Sequence, residues 1–111
     1  MVSIKHFKEL ALSFPETVEQ PHFEKTSFRF RKKIFATLSE ETSLAVIKLS
    51  AVDQSVFSSF DKTIIYPVEN KWGKQGWTAI NLKKVRKNML KDALTTAYNQ
   101  VANIKTQRDN V

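Results

Sequence analysis

Apolar residues recur at three- and four-residue steps at the start of the chain. Ile4, Phe7, Leu10, Ala11 and Phe14 share one helical face, Ser3 is placed to cap the first turn, and Pro15 closes it. The spacing predicts an amphipathic helix over residues 3–14. The period then drops to two. Phe28 and Phe30 alternate with Ser27, Arg29 and Arg31, which predicts a strand with both rings on the core face and both guanidiniums on the other. A tight polar link at Lys32-Lys33 leads into a returning strand over 34–39, and 40–42 make the next turn. Residues 44–49 are apolar at both parities, as expected of a central strand covered on both faces for most of its length.

Ser50 and Asp53 resemble a capping box ahead of Val52, Val56 and Phe60, which follow at four-residue spacing, so a short helix is expected there. Brief strands follow over 64–66, ended by Pro67, and over 77–82. Between them Gly73 and Gly76, the only glycines, lie in one hexapeptide bounded by Trp72 and Trp77. Two glycines so close call for a turn with positive φ or a close backbone approach. The strongest helix spans 86–102, where Met89, Leu90, Ala93, Leu94, Ala97 and Val101 form one stripe. Lys84, Lys87 and Lys91 fall on the opposite side of that wheel if the helix starts by Lys84. The order of elements predicts an α+β fold: an antiparallel sheet whose apolar face packs on the N- and C-terminal helices, with the opposite face or the hairpin tips exposed.

Length and composition narrow this further. The 111 residues suit a single domain over 1–104, with 105–111 left as a polar tail. With no cysteine there is no disulfide framework, thiolate nucleophile or Cys-ligated metal. The first residues mix charge into their apolar positions, and no apolar run approaches the ~18 residues of a membrane helix, so a cytoplasmic protein is expected. Catalysis has little to stand on. His6 and His22 lack metal-ligand spacing, and no serine elbow or phosphate-binding glycine motif occurs. Neither an enzyme nor a cofactor is expected.

Charge is distributed unevenly. Residues 1–61 carry eight basic and eight acidic side chains, so the net charge of +7 comes entirely from 62–111. Lys71, Lys74, Lys83, Lys84, Arg86, Lys87 and Lys91 follow one another with no carboxylate between them. A concentrated positive patch attracts polyanions, nucleic acid foremost. Three elements could supply contacts. Arg29, Arg31, Lys32 and Lys33 cross a predicted hairpin turn; Lys71, Trp72 and Lys74 combine cations with a ring that could stack on a base; and Lys84 and Lys87 lead into the last helix. Trp77, opening a strand, is expected in the core. Nothing suggests strong base readout, so phosphate contact with weak sequence preference is the expected mode.

Taken in order, 14–16 (Phe-Pro-Glu), 21–23 (Pro-His-Phe), 28–36, 44–49, Gly76-Trp77 and Ala97-Tyr98 resemble the MmcQ/YjbR-like family over roughly residues 4–102. The resemblance implies a CyaY-like (frataxin-like) two-layer fold with a double wing of hairpins from which DNA binding is predicted, and no enzymatic activity. It makes Arg29 to Lys33 one wing tip; Lys71 to Lys74 are assigned here to the second. Two positions depart from the family pattern: Lys32 stands where a glycine usually precedes the hairpin lysine, and Ala97 where a serine usually precedes the helix tyrosine. The frataxin likeness also raises iron handling, which needs an acidic ridge on the first helix; here that segment mixes Lys5, Lys8 and Glu9. DNA is therefore the expected partner, with an acidic protein meeting the same basic face as the alternative. A small-ligand pocket between sheet and helices is a minor third.

Overall fold

Ser3 opens the first helix as the pattern requires: its Oγ accepts the backbone N–H of His6 at 3.0 Å, and α1 runs Ile4–Leu12 with Phe7 and Ala11 buried. The computed structural model describes residues 1–69 and 71–102, so the polar tail expected over 105–111 lies outside the described residues. The chain continues through β1 (Thr17–His22), β2 (Lys25–Phe30), β3 (Lys33–Ser39), β4 (Leu44–Lys48), α2 (Ala51–Ser58), β5 (Ile65–Pro67), α3 (Lys71–Lys74), β6 (Trp77–Asn81) and α4 (Lys87–Ala102). The strands form one antiparallel sheet in the order β1-β2-β3-β4-β6-β5, an α+β architecture with β4 in its interior. No helix among the described residues is long and apolar enough to cross a membrane.

Helices α1, α2 and α4 occupy one face of the sheet. α4 packs across β2, β3 and β4, α1 against β1, and α2 against β5. Tyr98 of α4 gathers the core aromatics: Phe14 stacks on it at 4.7 Å between ring centroids, while Phe30 and Phe35 meet it edge-on at 5.5 and 5.6 Å. Its hydroxyl donates to the Pro15 carbonyl at 2.8 Å, tying the last helix to the end of the first. Ala97, where the family pattern has serine, is fully buried in this core.

Register determines what each face carries. Phe28 pairs with Ala36 and Arg29 with Ile34, so Phe35 is an extra residue on its strand. This bulge lets Phe35 and Ala36 both turn into the core while Ile34 emerges on the other side. β1 was not foreseen: Val18, Glu19, Gln20 and Pro21 are all exposed, and a solvated edge strand has no buried parity to betray it. Both edge strands contain a proline, Pro21 in β1 and Pro67 at the end of β5. Three further expectations are corrected. The β2–β3 turn is Arg31-Lys32, not Lys32-Lys33, with both residues at positive φ (47° and 79°), as a two-residue type I′ turn demands. The stripe Val52, Val56 and Phe60 faces outward at 70%, 51% and 64% exposure, because α2 turns the half-buried Phe57 and the buried Ser58 inward instead. And β4 is covered by helices on one face only: Ala45 and Ile47 are buried there, whereas Leu44 and Val46 lie half-buried on a face no helix covers.

Candidate nucleic-acid interface

Residues paired across an antiparallel ladder point to the same side of the sheet. Followed from strand to strand, the pairs place His22, Lys25, Ser27, Arg29, Ile34, Thr37, Val46, Lys48 and Trp77 on the open face, opposite α1 and α4. Three of these are cations and none is a carboxylate. Glu24, beside Lys25, stands in the β1–β2 turn, and Glu19 pairs with Phe28 and so lies on the helix side, where it and Glu40 hold Lys8 of α1 at 3.6 and 3.0 Å. The Glu40 contact is the main reason the Lys8 pKa is raised.

The open face is hollowed into a groove of about 340 Å³. Ile34, Thr37, Val46 and Trp77 form its floor, His22 and Lys25 of the β1–β2 hairpin one wall, and Val68 and Trp72 the other. Trp77 thus lines a groove instead of entering the core, since it pairs with Lys48 on the open side. The Lys48 ammonium lies 5.6 Å from the Trp77 ring centroid and donates to the Gln75 carbonyl; Lys71 stands 5.6 Å from the ring of Trp72.

The wall carrying Trp72 is rigid for a short segment. The segment expected as a second wing is a one-turn helix, α3, and its two glycines fix it by close approach. A Cβ on Gly73 would fall 1.9 Å from the Val68 carbonyl oxygen, and one on Gly76, at φ +103°, 1.9 Å from that of Leu49. Leu49 N–H donates to the Gly76 carbonyl at 2.9 Å, and Gln54 reaches from α2 to the carbonyls of Gly73 and Trp77 and the hydroxyl of Thr78.

The sequence-derived site residues divide into three groups. Arg29 lies on the open face, its Nε donating to Ser27 Oγ at 3.0 Å. Arg31 does not accompany it, because a turn residue leaves the alternation; its guanidinium meets Glu16 through two bonds of 3.0 Å and sits over the Phe30 ring. That pair lowers the Glu16 pKa and raises that of Arg31. Lys32 is at the tip of the same turn, and Lys33 pairs with Phe30, on the helix side. By register the β2–β3 turn, Lys48, Trp77 and α3 share one end of the sheet. Lys84 and Lys87 do not join them. They follow β6, a five-residue strand about 16 Å long, at its far end. Lys84 also precedes α4 instead of lying on it, and its charge contributes to lowering the Asp61 pKa, after the hydrogen bonds from Thr63. Sequence reasoning missed Lys25 and Lys48; the signal for Lys25 was its parity with Arg29 along β2, whereas that for Lys48 was its pairing with Trp77, which needs the register.

A profile of the YjbR family matches residues 12–100. The chain belongs to the YjbR family. Among solved structures, the YjbR fold described above is similar to the crystal structure of Deinococcus radiodurans protein DR2400, which carries a DUF419 domain: the TM-score is 0.80 at 17% identity, over 99% of this chain and 86% of that one. No curated protein matches the chain. In this YjbR domain the position that usually holds glycine before the hairpin lysine is Lys32 at φ 79°, the left-handed region glycine favours.

Proposed function

We propose that the chain is a non-catalytic nucleic-acid-binding module that docks phosphates on Lys25, Arg29, Lys48, Lys71 and Lys74 around the open face of its sheet, with DNA as the expected polymer. The observation that carries this reading is the sign of that face: its strands present three cations and no carboxylate, and two tryptophans stand beside them. Lys32 extends the positive end beyond the sheet, whereas Lys33 lies on the helix side, Arg31 is held by Glu16, and Lys84 and Lys87 lie at the opposite end.

Fluorescence anisotropy with labelled oligonucleotides across a salt series tests the reading. Five phosphate contacts give a slope of log K against log salt of about −3.5 to −4.5. Reversing Arg29, Lys71 and Lys74 together to Glu should flatten that slope and weaken binding more than about tenfold. Absence of binding at ~50 mM salt overturns the function.

One observation favours a second reading. The outward stripe of Val52, Val56 and Phe60 is apolar surface of the kind that contacts proteins. Partners retained from a lysate after nuclease treatment, and lost on replacing those three residues by Ser, support that reading.

A further inference from the structure

The groove on the open face has a shape and lining that phosphate docking alone does not use. Its volume of about 340 Å³ lies at the lower end of small-molecule sites, which run from ~300 to 1,000 Å³. The floor is apolar, Ile34, Val46 and the Trp77 ring, while His22 and Thr37 supply polar atoms and Lys25 a positive charge at the wall. Trp72, 49% exposed, offers an indole beside this space with Lys71 close to its ring. No residue lining the groove is acidic. Its occupant should therefore be planar and aromatic on one side and anionic on the other.

We propose that the groove is a base-binding site, taking one unpaired nucleobase against Trp72 while its phosphates lie on Lys25 and Lys71, so that single-stranded nucleic acid is the preferred ligand. This rests on the nucleic-acid reading above and specifies the form of the polymer. A base within a duplex has both faces covered by its neighbours and reaches Trp72 only by extrusion, at the cost of its stacking and pairing. A base in a single strand is already available, and stacking on an aromatic ring tolerates any base because each has a π face.

The test uses the whole chain with a fluorescein-labelled 15-nucleotide single strand lacking self-complementarity, and with the same strand in duplex form, at ~100 mM salt. The single strand is expected to bind at least about tenfold more tightly and to quench tryptophan fluorescence. Trp72→Ala should remove about tenfold of single-strand affinity and leave duplex affinity nearly unchanged, and Trp72→Phe should restore most of the loss. That rescue separates stacking from a merely structural role. Equal binding of the two forms without quenching overturns the base site and leaves phosphate docking standing. If neither form binds, the nucleic-acid reading fails and the base site with it.

Discussion

Arg31 grips Glu16 through two parallel hydrogen bonds, Nε to Oε1 and Nη2 to Oε2, each 3.0 Å long. The two residues come from the β2–β3 turn and the residue before β1, so one of the cations at that turn is neutralised within the protein.

Removing that partner should strengthen binding. Glu16→Gln frees the guanidinium and raises the net charge by one, and oligonucleotide affinity at ~50 mM salt is expected to rise by about threefold. The salt slope should steepen by about 0.7 to 0.9 as one more phosphate is neutralised. An unchanged slope means that Arg31 lies away from the bound strand.

The same pair sets an acid limit. Arg31 lowers the Glu16 pKa from its ordinary 4.5, so the stabilisation is fully present above the unfolded value and is lost as pH falls through the folded one. Asp61, lowered by its bonds from Thr63, acts in the same direction. Melting temperatures should fall below pH ~4.5, and fall less steeply in Glu16→Gln. Parallel pH profiles for the two proteins contradict this.

Lys32 at φ 79° occupies a conformation costly for a residue with a Cβ. Lys32→Gly relieves the strain, partly offset by the freedom glycine gains when unfolded, for a net gain of about 0.5–1 kcal/mol. Urea denaturation should show a higher midpoint at constant m-value, and a lower midpoint would place no strain at this turn.

Gly76 admits no side chain. Gly76→Ala drives a Cβ into the Leu49 carbonyl and strains a positive φ, at a cost of about 3 kcal/mol and a drop in Tm on the order of 10 °C. Because the residue precedes Trp77, the variant should also shift the tryptophan emission maximum of the folded protein.

Tyr98→Phe keeps the aromatic packing and deletes only the bond to the Pro15 carbonyl. The expected loss is about 1 kcal/mol, read from the urea midpoint. A loss several times larger would assign the hydroxyl a part beyond this one bond.

How much of this was legible depends on burial. α1 and α4 carry long apolar stripes with a polar side, so their positions and inner faces follow from spacing alone. β1 left no such trace because it is mostly exposed, and α2 misled because Val52, Val56 and Phe60 keep helical spacing while facing water. The two close glycines announced tight packing, and Gly73 and Gly76 supply it, but nothing local marked Lys71–Lys74 as a turn of helix. The site was half legible. Arg29, Lys71, Lys74 and Trp72 stand out as cations near a ring, whereas their union with Lys25, Lys48 and Trp77 depends on the cross-strand register, Ser27 with Thr37, Thr37 with Val46 and Lys48 with Trp77. Lys84 and Lys87 are neighbours of Lys74 in the charge run and yet are held apart by the length of β6.

Pro21 and Pro67 bear on how the sheet meets copies of itself. Each removes a backbone donor from an outermost strand, β5 is only three residues long, and β1 carries Glu19. Neither border offers an unbroken row of N–H groups for another chain to zip onto. The sheet is thereby self-terminating, and its face can stay open to solvent without inviting growth into fibrils.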